Sequence, residues 1–309
     1  MADARNFSRI LCSCCRNDLC EQACSDGFEV YVSHNLPSWQ TGTAALILLS
    51  MNVLGYVELN IVPVNSAILV SWLPASLLFS GIIYSGSVAL SRLPVPVFCV
   101  MHYIYTLFVT LLDSFFLKKE PSINSQFSLI LTAIGTVSMA GTDAQFDQMG
   151  YKWIMIHCGF SALYVFYGKT RKTNSLSDLD KMFYNAVVSV IVLMGISVAT
   201  GELYRIIEFP FLYSTHFHLG CMGSGIFGAA LGLFHAYLQS AEIPYSMGII
   251  NSVNKVAVSF LSLFVFDITL NTSMTASITV ALCSGVLYAY TVTAHKEAEQ
   301  RNVYPVRDS

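Results

Sequence analysis

The chain has 309 residues, of which 54% are hydrophobic and only 11% are Asp, Glu, Lys or Arg. A soluble domain carries about 25% charged residues, so this composition excludes a cytosolic enzyme and a disordered chain, and the net charge of −3 argues against a nucleic-acid partner. Apolar stretches of roughly twenty residues recur along the chain, which marks a polytopic α-helical membrane protein. The stretches are continuous, unlike the alternating ten-residue segments of a transmembrane β-barrel.

Residues 1–40 stand apart. They hold Cys12, Cys14, Cys15, Cys20 and Cys24 among Arg16, Asp18, Glu21, Asp26 and Glu29. A span here would bury several charges, each costing about 2.5–3.5 kcal/mol at mid-bilayer. The segment therefore reads as a polar, Cys-rich N-terminal stretch in which a first helix is degenerate or absent. No apolar core of a signal peptide precedes its charges. The cysteine spacing departs from the paired C-x₂₋₄-C of a structural zinc site, so the residues read as plain thiols or acylation targets, and no metal is expected.

Nine spans follow, at Thr41–Leu59, Ser66–Leu90, Pro94–Leu117, Phe127–Thr142, Gly150–Gly168, Met182–Thr200, His216–Ser240, Ile243–Phe266 and Ser273–Ala294. Residues 41–295 form a single transmembrane domain, and 296–309 a tail. With the loops alternating sides, one side carries Lys118, Lys119, Lys169, Arg171, Lys172, Lys181, Lys296, Arg301 and Arg307. The other carries Arg92, Lys152 and Arg205. The excess of Lys and Arg places the C-terminus in the cytosol. Nine spans then put the N-terminus on the far side, at odds with Arg5, Arg9 and Arg16. A tenth helix before Thr41 would reconcile the two.

An internal repeat also asks for ten. The second and third spans are joined by a short connector ending at Pro94 and Pro96, the seventh and eighth by one ending at Pro244. The third span then carries His102 and Asp113, the eighth Lys255 and Asp267. The offset is five spans, an odd number, so the two copies are inverted in the membrane. Inverted repeats are a transporter signature, with the site at the interface of the repeats.

Polar residues inside spans are the candidate functional groups. Lys255 lies deep in the eighth span beside Asn251, Ser252 and Asn254, and an ammonium there needs a partner or a wet cavity. In Met182-Phe-Tyr-Asn185, Phe183 and Tyr184 offer flat faces to a base, and Asn185 a donor and an acceptor to a base edge; an aromatic belt is the structural alternative. Gly223, Gly225, Gly228 and Gly232 give the seventh span a small-residue face for close helix approach. His102 reads as hydrogen-bonded to a neighbour rather than as a ligand, and His157 and His235 as packing residues. No catalytic constellation and no phosphate-binding loop appears, so the chain reads as a non-enzyme without a cofactor.

Three stretches resemble the nucleotide-sugar transporter family of the drug/metabolite transporter superfamily, most of all its GDP-mannose branch, as a divergent orphan paralogue. Gly150-Tyr-Lys-Trp153 with Asp178 to Asn185 is similar to that family's sixth helix, cytosolic loop and F-Y-N-N motif. Tyr245-Ser-Met247, Ser252-Val-Asn-Lys255 and Phe264-Val-Phe-Asp267 are similar to its Y-S-M, G-A-L-N-K and F-F-D elements. Pro96 to Phe116 is similar to its fourth helix, with Asp113 where the family has Glu. The resemblance implies a ten-helix, 5+5 inverted-repeat bundle. It implies that Phe183, Tyr184 and Asn185 face the base, and that Tyr245, Asn254 and Lys255 face ribose and phosphates; Asn251 and Ser252 stand where the family has a small Gly-Ala, and join the substrate-binding candidates as part of the polar pocket beside Lys255. Ala186 stands where a second Asn helps select guanine, and His102-Tyr103 stands where the family has Lys-Asn.

The resulting expectation is a Golgi or endoplasmic-reticulum antiporter, most readily for UDP-N-acetylglucosamine, returning a nucleoside monophosphate. GDP-mannose transport and a non-transporting scaffold or chaperone of the same fold are the alternatives. The partners expected are the nucleotide sugar, the monophosphate and the lipid bilayer, with a homodimer among the assemblies and no nucleic acid.

Overall fold

The computed structural model describes residues 36–59, 66–170, 176–199, 201, 215–240, 247–265 and 271–303. Within them the chain forms α1 Leu36–Val53, α2 Ser66–Arg92, α3 Val95–Met101, α4 Ile104–Phe116, α5 Ile123–Thr142, α6 Gln148–Thr170, α7 Asp178–Ala199, α8 Thr215–Ser240, α9 Met247–Val265 and α10 Thr272–Val303. Among the described residues there is no strand. Among the described residues six segments, the α3–α4 pair counting as one, are long and apolar enough to cross a membrane. This is an all-α polytopic membrane protein. The Cys-rich segment, Tyr245 and Asp267 lie outside the described residues.

Local chemistry sets the helix ends. α1 closes in a Schellman motif: Gly55 takes φ 77°, Gly55 N–H donates to Asn52 and Tyr56 N–H to Met51. α5 begins at Ile123, a turn before the expected Phe127, because Ser122 caps it and accepts from Ser125 N–H. α7 likewise starts at Asp178 instead of Met182. Ser177 and Asp180 form a capping box there: Leu179 N–H donates to the Ser177 hydroxyl, and Ser177 N–H to the Asp180 carboxylate. α10 runs past Ala294 to Val303. An amphiphilic reading stops where apolar residues stop, whereas a capped helix continues while its backbone bonds are satisfied.

The third span was expected as one helix and is two. At His102-Tyr103 the backbone tightens to i−3 bonds, with Tyr103 N–H donating to Val100, Tyr105 N–H to His102 and Thr106 N–H to Tyr103, all at 3.0–3.2 Å. A 3₁₀ step inside a span turns the side chains around it relative to a continuous helix.

The chain divides into two compact units, residues 1–92 with 163–237, and residues 93–162 with 238–309. In the first unit α7 packs on both α1 and α2. A polar ladder runs through the α2–α7 contact at helical spacing: Trp72, Ser76 and Ser80 face Asn185 and Ser189. α8 approaches closely through part of its glycine face. A Cβ at Gly225 would lie 2.8 Å from Thr43, and one at Gly232 would meet the Met182 methyl, while Gly223 and Gly228 have nothing within 4 Å.

In the second unit α10 packs along α5, and α9 packs on α3 and α10. Gly135 sits against the Ala281 backbone, where a Cβ would come within 3.0 Å. Thr132 donates to Ser284 at 3.0 Å, and Ser125 to Thr291 at 3.3 Å. α5 buries Ser125, Ser128, Thr132, Gly135 and Thr136 beside Leu129 and Met139, while Ile123, Phe127, Ile130, Ile134 and Val137 are exposed. Large apolar side chains on the outside suit lipid, where small and hydroxylic residues mediate helix contact. Three of the packed pairs, α1 with α7, α3 with α9 and α5 with α10, are the pairs related by the five-span offset of the repeat.

Candidate functional site

The expected site residues fall into two clusters, one in each unit. Phe183, Tyr184 and Asn185 lie on α7 in the first, and Asn251, Ser252, Asn254 and Lys255 on α9 in the second.

In the first cluster Asn185 is only 3% exposed. Its Oδ1 accepts from Trp72 Nε1–H at 3.2 Å and from the Ser76 hydroxyl at 2.9 Å, and its Nδ2 donates to Tyr164 Oη at 2.9 Å. An indole nitrogen is a donor only, so Trp72 dictates which end of the amide is oxygen. Three of the four hydrogen bonds available to a primary amide are thereby used, and the fourth is an N–H donor. Trp72 forms a buried apolar core with Ala75 and Leu176, against which Tyr164, Tyr167 and Tyr184 pack. Phe183 meets Tyr184 edge-on at 5.9 Å, and Phe79 lies 5.8 Å from Tyr164. At the helix entrance the Lys181 ammonium sits 5.7 Å over the Trp72 ring and pairs with Asp178 at 2.8 Å. The pattern had pointed to Phe183, Tyr184 and Asn185. It missed Trp72 and Ser76, whose only sequence signal was polar residues four apart in an apolar span, and Tyr164, which carried no such spacing.

In the second cluster Asn251, Asn254 and Lys255 share one stripe of α9, at i, i+3 and i+4. The asparagines are exposed and Lys255 is half-buried, while Ser252 faces inward. The Lys255 ammonium lies 4.2 Å from the Tyr103 ring centroid and 5.0 Å from that of Tyr105. Among the described residues no carboxylate lies within 4.0 Å of it. Each ring face is worth about 0.5–2 kcal/mol to a poorly solvated cation, which keeps the ammonium in place without cancelling its charge. Tyr103 is 2% exposed and its hydroxyl donates to the Ser252 carbonyl at 3.3 Å. His102 extends the aromatic cluster, 4.7 Å from Tyr105, 5.1 Å from His157 and stacked on Phe98. Both histidines thus pack as ring surfaces. Tyr105 was missed by the sequence reading, and Tyr103 was noticed without its partner.

Apolar helices long enough to cross a membrane, with Asn185 set in one and Lys255 in another, define an α-helical polytopic membrane protein. No family model matches the chain. It is 38% identical to a Xenopus laevis protein named UDP-N-acetylglucosamine transporter TMEM241 homolog, over 77% of this chain and 79% of that one. It is 36% identical to a mouse protein named UDP-N-acetylglucosamine transporter TMEM241, over 75% and 77% of the two chains. A GDP-mannose transporter of Arabidopsis thaliana, GONST2, is 21% identical over 82% of this chain and 70% of its own. The chain belongs to the nucleotide-sugar transporter family.

Proposed function

We propose that the protein carries UDP-N-acetylglucosamine from the cytosol across a Golgi or endoplasmic-reticulum membrane and returns a uridine monophosphate. The observation that carries this reading is Lys255, an ammonium in a membrane span with aromatic faces for company and no acid beside it among the described residues. Such a charge is a receptor for a phosphate. Asn251 and Asn254 on the same stripe supply amides for ribose or sugar hydroxyls.

Two observations favour uridine. Two relatives that share more than a third of their aligned residues with the chain are named for UDP-N-acetylglucosamine. The Asn185 oxygen is already engaged by Trp72 and Ser76, so this amide can add a donor and no acceptor. The uracil edge presents two carbonyl acceptors around one N–H donor, whereas the guanine edge presents one carbonyl acceptor and two N–H donors, so an amide left with only a donor to offer matches uracil better. Transport requires no covalent chemistry: substrate shifts the equilibrium between inward-open and outward-open forms by binding the intermediate states differently. The reading places the C-terminus in the cytosol and allows a homodimer.

The test is exchange by the full chain in proteoliposomes loaded with UMP. UDP-N-acetylglucosamine should enter against UMP, and UDP species should raise the unfolding temperature more than GDP species. No exchange and no shift with either set would leave a membrane scaffold; a stronger shift with GDP would move the substrate to GDP-mannose.

A further inference from the structure

Lys255 is held in an unusual way. Most intramembrane lysines pair with an acid or with backbone carbonyls, yet this one rests on two ring faces, one from Tyr103 within the 3₁₀ step of the third span and one from Tyr105 just after it. That step turns Tyr103 toward α9, where its hydroxyl is tied to the Ser252 carbonyl. The ring has a narrow seat. On α10, a Cβ at Gly285 would fall on the Tyr103 ring, with Cε1 and Cζ closer than any real contact and Cδ1 at 2.9 Å. A buried ring tethered at its hydroxyl cannot swing aside as a flexible chain end would. Tyr103, Tyr105, Ser252, Lys255 and Gly285 all belong to the same compact unit, so the arrangement travels as one piece.

We propose that Tyr103 and Tyr105 are positioning residues that clamp the Lys255 ammonium between ring faces, that Gly285 is the space that seats Tyr103, and that this clamp sets the affinity of Lys255 for the substrate's diphosphate. The proposal rests on the reading of Lys255 as the phosphate receptor. A carboxylate in place of the rings would compete with phosphate for the ammonium. Ring faces hold the charge and leave it available. Without them the lysine chain, with its four rotatable bonds, would reach for carbonyls or the membrane surface and would have to be recovered at each binding event.

The experiment is UDP-N-acetylglucosamine/UMP exchange by the full chain in proteoliposomes, with KM and kcat separated and thermal unfolding as the check on folding. Tyr103→Leu should raise KM about ten-fold while kcat stays within about three-fold, since a preorganised ground-state contact is lost. Tyr105→Leu should act in the same direction and more weakly. Tyr103→Phe keeps the face and should restore wild-type KM. Gly285→Ala should raise KM by displacing the ring, and should add nothing on a Tyr103→Leu background, because the ring it displaces is gone.

Unchanged KM in both leucine variants overturns the clamp. So does a Tyr103→Phe protein as impaired as Tyr103→Leu, or a Gly285→Ala defect that persists in full on Tyr103→Leu. If Tyr103→Leu does not fold, Tyr105→Leu and the Phe-versus-Gly285→Ala contrast decide in its place. Lys255→Ala separates the two levels. Normal transport by that variant removes the phosphate-receptor reading itself, whereas a dead Lys255→Ala beside a normal Tyr103→Leu removes only the clamp.

Discussion

Asn185 and Lys255 are both polar groups set in membrane spans, and the two units treat them in opposite ways. Asn185 has its oxygen doubly engaged and its nitrogen donating, all to side chains of its own unit. Lys255 has two ring faces. The first group is mostly satisfied within its own unit and keeps a single N–H donor to offer. The second is stabilised by a field that a phosphate can add to. Polar residues in spans therefore divide into those that mainly hold helices together and those that mainly wait for a ligand, and the partner's chemistry tells them apart.

The largest effect should come from Lys255. Lys255→Ala is expected to lower exchange by on the order of 100-fold, as loss of a buried charge–phosphate contact would, with little change in unfolding temperature. A destabilised but active protein would reverse the assignment.

Asn185→Ala should do the opposite first. It leaves Trp72, Ser76 and Tyr164 without their partner, and at about 0.6 kcal/mol per interhelical bond in a membrane the loss comes to about 2 kcal/mol, read as a lower unfolding temperature in detergent. Stability equal to wild type would mean that the amide is not the tie between α2 and α7.

Gly135→Ala presses a methyl against the Ala281 backbone and should destabilise the α5–α10 contact by about 1–3 kcal/mol. Gly223→Ala, with open space around it, is the matched control and should be neutral. Trp72→Phe is the subtlest case. It frees one lone pair on Asn185, and GDP species should then compete several-fold better against UDP species, with KM for the UDP-sugar changed less. Unchanged base selectivity would detach Asn185 from base recognition altogether.

Much of the architecture was legible because lipid demands long apolar helices, and a charge inside one is conspicuous. The all-α membrane class, the order of the helices and Lys255 all follow from that. Helix ends were less legible. The Ser122 cap and the Ser177–Asp180 box carry α5 and α7 one turn beyond their apolar cores, and a hydropathy pattern has no view of hydrogen bonds at a helix end. The break at His102-Tyr103 was not legible, since both residues keep right-handed helical angles and neither is Gly or Pro.

By itself, then, the sequence determined an all-α membrane protein, its family and the one lysine placed deep in a span. Only the tertiary structure decided who partners whom. Ser252 and Tyr103 are 149 residues apart, and Asn185 and Trp72 are 113 apart. In a soluble protein an apolar stripe announces the buried face of each helix. In a membrane the outward face is apolar as well, so the pattern that would pair helices is muted, and a ring face that holds a cation looks, in sequence, like any other aromatic residue.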